Sequence, residues 1–333
     1  MCLCWKGFAA SALLLGLLAA PARLSAVSCT TQAALLPQDR DALASAGGAL
    51  ARAVAAQDLV TLKAALLPAV AQQWEGISGV AQDAAALTKG GQVQLRSLYL
   101  LDATSLTAAA DTQFFCSNQS GSMTVILNMR ALPPGRYAVV LADAVGAPNA
   151  AQLGFILAWD GPAAGWKLGG LTVRPGALDG HDGLWWWTHA REVVKADATQ
   201  SWSAWYSYEV ARALLLPVDF LSSPNLEKLG SEQTSIKNSP QDAFPLTIPD
   251  GARNWKIDTV YLDQTLLHAD LGVVFESAGV TDPAAQRTEA IAVLSALLKA
   301  QPGLRQHFYG LWAYAVKDGK RTPVMELPMA QIP

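Results

Sequence analysis

Large aromatic and imidazole side chains crowd into one stretch, His181-Asp-Gly-Leu-Trp-Trp-Trp-Thr-His-Ala-Arg191, continued by Trp202-Ser-Ala-Trp-Tyr-Ser-Tyr208. Three chemistries are open to it. A metal site needs ligands on one side at close range, and His181 and His189 are separated by a glycine turn with no H-x-x-x-H or H-E-x-x-H spacing, so no metal is expected. A hydrolase would use His181, Asp182 or His189 with a nucleophile. Ser201, Ser203 and Ser207 are near in sequence, but none sits in a G-x-S-x-G elbow. A ligand groove would be lined by Trp185, Trp186, Trp202 and Trp205, since aromatic rings suit an apolar or sugar-like guest. The plain structural alternative makes Asp182 a helix cap and His189 a hydrogen-bonded interface residue.

Other candidates are sparser. The first half of the chain has no histidine, which leaves Asp102, Asp111 and Asp143 as its candidate bases, each at a strand end or loop. General acid–base work favours a group that titrates near neutrality, and histidine supplies that most readily. In the last third, His268, Asp270 and Glu276 share one strand face, which reads as an open polar row lacking a nucleophile. No G-x-G-x-x-G, Walker A loop or C-x-x-C of the mature chain points to a cofactor, so none is expected.

The elements that must position these groups begin after residue 28. Lys6 followed by the apolar run 8–20 has the build of a signal peptide, too short to span a bilayer, and residues 1–28 are set aside as that segment. No later apolar run is long enough for a transmembrane helix, so the expected location is periplasmic or secreted. Cys29 and Cys116 are then the only cysteines left. A disulfide between them would close a loop of nearly ninety residues and stabilise the fold by roughly 4 kcal/mol. The rival is a lipid anchor at Cys29, because Ala26-Val-Ser-Cys29 resembles a lipobox; the protein would then be a membrane-anchored lipoprotein. One sulfur cannot serve both. A net charge of −3, with Lys and Arg scattered, excludes nucleic acid as a partner on electrostatic grounds.

Residues 29–174 carry helical spacing at 39–56, 60–67 and 70–87, then six alternating runs bounded by turn residues, at 93–101, 112–116, 123–129, 136–143, 153–160 and 166–173. Helices followed by antiparallel strands make an α+β fold. The phrase Leu50-Ala-Arg-Ala-Val-Ala-Ala-Gln-Asp58-Leu-Val-Thr-Leu-Lys-Ala-Ala-Leu66 resembles the opening of the NTF2-like family, a cone-shaped fold in which a long helix ends at a small-x-Asp step before a short one. That resemblance implies a curved sheet wrapped round a helix and says nothing of activity, since the fold hosts enzymes and inert binding modules alike.

Residues 175–235 read as an aromatic-rich helical hairpin, similar to a single TPR-like unit, with helices at about 183–195 and 201–216. Residues 236–251 are polar and proline-spaced and read as a linker. Residues 252–333 follow a β-β-α-β-β order, with one helix covering a four-stranded sheet. The expected function is that of a non-catalytic, exported binding or scaffold module taking an unknown protein or a small apolar ligand at the tryptophan joint. The alternatives are a periplasmic hydrolase at His181, Asp182 and His189, and a structural lipoprotein held through Cys29.

Overall fold

A computed structural model describes residues 27–118, 121, 124–147, 150–251, 253–279 and 282–333. The expected signal segment lies outside the described residues apart from its last two positions. Strand β1 (Ser28–Thr31) leads into helices α1 (Pro37–Ala55), α2 (Leu59–Ala64) and α3 (Trp74–Thr88). Pro37 opens α1, where its missing N–H is not needed. At the other end Gln57 adopts φ 57°, and Asp58 caps α2 by accepting from the Thr61 N–H at 3.0 Å.

Six strands follow: β2 (Gln92–Asp102), β3 (Ala110–Ser117), β4 (Thr124–Leu132), β5 (Arg136–Val145), β6 (Ala151–Trp159) and β7 (Trp166–Pro175). Five of the seven strands so far form an antiparallel sheet in the order β1-β2-β5-β6-β7. Its strands β5 and β6 are buried on both sides, so their sequences read as almost continuous apolar runs. On one face, Leu43, Leu50 and Val54 of α1 pack with Leu62, Leu98, Phe155 and Leu168. Gly47 comes so close to the sheet that a Cβ there would lie 2.6 Å from Val140 Cγ1. On the other face, β3 and β4 pack Phe114, Leu127 and Met129 against Val139 and Leu141. The layer between helices and sheet is filled by side chains rather than hollow.

Cys29 and Cys116 form a disulfide, with sulfurs 2.03 Å apart. It ties edge strand β1 of the large sheet to β3 of the small one across 87 residues. A sulfur held in that bridge is not available for a thioether, which removes the chemical basis of the lipid anchor at Cys29.

The short ribbon β8 (Ala177–Leu178) and β9 (His181–Asp182) leads into the hairpin α4 (Gly183–Ala196) and α5 (Ser201–Leu215). Strand β10 (Leu221–Ser222) then returns to pair with β4, and α6 (Pro224–Thr234) packs on α5. The last unit contains β11 (Leu246–Asp250), β12 (Arg253–Asp263), β13 (Asp270–Glu276), α7 (Pro283–Ala300), α8 (Leu304–His307), β14 (Gly310–Lys317) and β15 (Lys320–Pro328). They make one sheet in the order β11-β12-β13-β14-β15, with β13 and β14 parallel across the helical crossover.

One expectation changes. The stretch 236–251 is not wholly a linker, because β11 within it extends the sheet to five strands. Pro249 masked it in the sequence, yet on an edge strand a missing N–H costs no ladder bond. The hairpin packs into the last unit. Trp186, Trp202 and Tyr206 share one core with Val293, Leu297, Leu271 and Phe275 of the last unit. Among the described residues, no helix is long and apolar enough to cross a membrane.

Candidate functional site

The tryptophan joint has the capped start that its sequence suggests. Asp182 Oδ1 accepts from the Trp185 N–H at 2.8 Å, fixing the first turn of α4. One turn of spacing then stacks the Trp185 ring between two imidazoles, with His181 at 3.6 Å and His189 at 4.7 Å between ring centroids. His189 Nε2 meets His307 Nδ1 at 2.9 Å, and His307 Nε2 meets Gln200 Oε1 at 2.9 Å. With Gln200 Oε1 as the acceptor, His307 donates to it from Nε2 and, in its neutral form, accepts at Nδ1 from His189 Nε2–H. Burial holds both imidazoles below the usual histidine range, with His181 adding to the effect at His189 and His189 adding to it at His307.

The polar groups of this arrangement are largely engaged with one another. Asp182 is engaged at the cap, and Trp185 separates the two histidines expected to cooperate. Ser201 Oγ donates to the Asn238 carbonyl and Ser207 Oγ to the Ser203 carbonyl, so neither is poised as a nucleophile. Trp186 and Trp202 are 3% and 4% exposed and belong to the core, while Trp205 is partly buried against it. Only Trp185 of the four, at 40%, presents much surface. The four tryptophans therefore line no common groove. Of the aspartates of the first domain, Asp102 accepts from Thr104 and Asp111 from the Ala131 N–H, whereas Asp143 pairs with Arg96 at 3.1 Å but its buried Oδ1 accepts no hydrogen bond among the described residues, and burial raises its carboxyl.

A cleft of about 590 Å³ opens beside this joint and includes Arg191, Tyr208, Glu232 and Asn238. Its carboxylate is already saturated. Glu232 accepts two bonds from Arg191, one from Trp187 Nε1 and one from the Tyr208 hydroxyl, which holds its carboxyl below the usual range. Burial and that carboxylate push the Tyr208 phenol up to about 12.

A different condition holds on the face of the C-terminal sheet opposite α7. Strand alternation puts Asp263 and Tyr261 of β12 beside Asp270 and Gly272 of β13, then Trp312 and Tyr314 of β14, then Glu326 of β15. Asp263 is satisfied: its Oδ2 accepts from the Tyr314 hydroxyl at 2.6 Å and the Tyr261 hydroxyl at 3.3 Å, and its Oδ1 from the Thr265 N–H. At the strand end, Asp179 reaches across from the turn between β8 and β9 with φ 52°. It binds His268 Nδ1 at 2.6 Å and the Ala269 N–H at 2.8 Å, and His268 stacks on Tyr309 at 3.7 Å.

Asp270 lies inside this frame, 0% exposed, and neither of its oxygens has a hydrogen-bond partner among the described residues. Glu326 Oε1 and Trp312 Nε1 are in the same condition. A Cβ at Gly310 would sit 2.6 Å from Glu326 Oε1, 2.8 Å from the Leu327 carbonyl and 3.0 Å from Asp270 Oδ1. Three oxygens thus converge above one glycine, and only glycine leaves them that space. Burial raises the Asp270 carboxyl to about 7, with Glu326 contributing further, and burial raises Glu326 as well. Such a carboxyl can hold or release a proton near neutrality, and its charged form calls for a donor that the chain does not supply.

Of the sequence-derived polar row, His268 and Asp270 belong to this cluster, whereas Glu276 pairs with Lys256 at the exposed far end of β13. The row is not the solvated face expected, since Asp270 is fully buried. Nothing in the sequence singles out Asp179, Asp263, Glu326 or Gly310 as site residues. The only local signal for them was aromatic alternation at Trp312 and Tyr314. Groups of three or more histidines, cysteines or carboxylates placed to hold a metal ion are absent among the described residues. No family model, curated protein or solved structure matches the chain.

Proposed function

We propose that the protein is an exported, non-catalytic binding module whose receiving surface is the acid-and-aromatic face of its C-terminal sheet. Asp270 carries this reading: a native fold rarely keeps a fully buried carboxylate with two vacant acceptors unless a ligand, water or proton completes it. Export is supported by the signal-like first 28 residues and by the disulfide, which favours an oxidising compartment. For the first domain we retain the NTF2-like assignment as a proposal, supported by the step from α1 through Gln57 to the Asp58-capped α2.

The test is backbone-amide NMR of the mature protein titrated with a panel of small amines, carboxylates and sugars. Shifts should cluster on β12 to β15 and vanish in the double variant D270N/E326Q. Shifts confined to the cleft beside Glu232, or to Trp185, would reject this surface in favour of the joint.

A further inference from the structure

The vacant atoms on this face have a pattern. Asp270 offers two acceptors and Glu326 one, and one oxygen of each lies within 3.0 Å of the same point above Gly310. That point is inside the glycine's own envelope, so a ligand atom would have to sit beyond it. Several acceptors aimed at one region match a group with several donors on one atom, and an ammonium carries three. A neutral hydroxyl has one donor and would leave most of the set unmet.

Charge agrees with donor count. The carboxylates around Asp270 are Glu326, Asp179 and Asp263, against His268 and, further along the sheet, Arg321. Asp179 and Asp263 are already satisfied, so Asp270 and Glu326 hold the uncompensated negative potential. The face also accommodates one cation of its own: the Arg321 guanidinium lies 4.1 Å from the Tyr314 ring centroid and 4.7 Å from that of Tyr261. Those two rings are occupied, whereas the Trp312 ring, opposite Glu326 in register, has no cation over it among the described residues.

Shape narrows the choice. Asp270 is 0% exposed, so any group that reaches it, an ammonium included, must displace the side chains that cover it. A compact charged tip on a flexible apolar stem demands less displacement than a sugar ring or the broad fork of a guanidinium. The stem would lie along Trp312 and the His268–Tyr309 stack.

We propose that this face takes a primary ammonium on an unbranched aliphatic stem, such as a lysine side chain or an aliphatic polyamine presents, with Asp270 and Glu326 as its acceptors. This rests on the binding-module reading above and gives it a ligand class. The ion pair would satisfy the vacant oxygens, and a carboxyl still carrying a proton would have to release it on binding. Of the facing groups, His268 and Arg321 oppose a cation, while Asp179, Asp263 and Glu326 favour it.

The experiment is isothermal titration of the mature protein with Nα-acetyl-lysine methylamide and with spermidine, at pH 6 and pH 8. Controls are the Nζ-acetylated lysine, the arginine counterpart and N-acetylglucosamine. The expected result is one-to-one binding of at least one amine, stronger at pH 8, with proton release that varies with buffer. Acetylation of Nζ should abolish it, and D270N/E326Q should weaken it at least ten-fold, as removing the partners of a buried charge does. Preference for the lysine compound points to a protein partner, and preference for spermidine to a free polyamine. Circular dichroism of the variant checks folding, and the acetylated ligand tests the charge without any substitution. Binding of N-acetylglucosamine or of the arginine compound on this face, with neither amine bound, overturns the ammonium inference and leaves the binding surface standing. Absence of every probe from the face overturns both.

Discussion

The tryptophan joint and the acid face each gather titratable groups among aromatic rings, yet they treat their polar atoms in opposite ways. At the joint, His189, His307 and Gln200 close a chain of hydrogen bonds, and Glu232 nearby accepts from three residues. Its one orphan, Trp186 Nε1, belongs to a ring that Trp185 meets edge-on at 5.1 Å. On the acid face, neither oxygen of Asp270 is answered. Polar groups that are mutually satisfied specify packing, whereas a buried carboxylate without partners costs stability and calls for another explanation. Aromatic density alone therefore marks the wrong region for ligand chemistry here, and unmet hydrogen-bond capacity marks a better one.

The comparison breaks first if the joint is not a core. Trp186→Ala should lower unfolding free energy by about 3–5 kcal/mol, as large aromatic deletions do, and urea titration measures it. A loss below about 1 kcal/mol would mean that the hairpin does not anchor the last unit. Next in size is Asp270→Asn, with the opposite sign. A raised carboxyl contributes full stability below the unfolded value of 3.8 and loses it as pH rises toward about 7. The amide escapes that loss, so the variant should gain about 1–3 kcal/mol at pH 8 and little at pH 4. An equal gain at both values would remove ionisation as the cause.

Asp182→Ala removes the cap of α4 and should cost about 1 kcal/mol at neutral pH, read from the same denaturation curves. Unchanged stability would show that the packed rings hold the helix start without it. The smallest effect concerns the histidine pair. Both imidazoles are depressed, so their contribution is intact above the ordinary histidine value of 6.5 and is lost as pH falls through the lower folded values. Replacing His189 and His307 together by glutamine should flatten the decline of stability between pH 6.5 and 5. An unaltered slope would place the acid sensitivity elsewhere.

Local rules made much of this fold legible. Asp58, Asp182 and Asp282 each precede a helix and each accepts a backbone N–H from its first turn. Strand alternation and turn residues located six of the seven strands of the first domain within a few positions and missed the four-residue edge strand β1. The pairing of Cys29 with Cys116 was expected from export and from their being the last two cysteines. What stayed hidden depends on long-range register. His307 reaches His189 across 118 residues, and Asp179 reaches His268 across 89. Asp263 looked like part of a turn, and Glu326 had no local pattern at all. Asp263 becomes a neighbour of Asp270 through the antiparallel register of β12 and β13, and Glu326 does so because β14 runs parallel to β13, sets Gly310 beside Asp270 and carries β15 on its other edge. Strand β11 was obscured by Pro249, which local propensity treats as a breaker and an edge position tolerates.

The way the hairpin is seated has a mechanical consequence. Buried Gln152 of the first sheet donates to the Leu214 carbonyl at the end of α5, and Gly154 accepts Val218 so closely that a Cβ would come within 2.4 Å of it. Asp179 pins the opposite side, and the far surface of α5 is continuous with the interior of the last unit. The two halves have no free axis about which to swing without tearing these attachments. A guest arriving at Asp270 would be admitted by rotation of individual rings such as Tyr309 and Trp312, so its entry should leave the hydrodynamic radius unchanged.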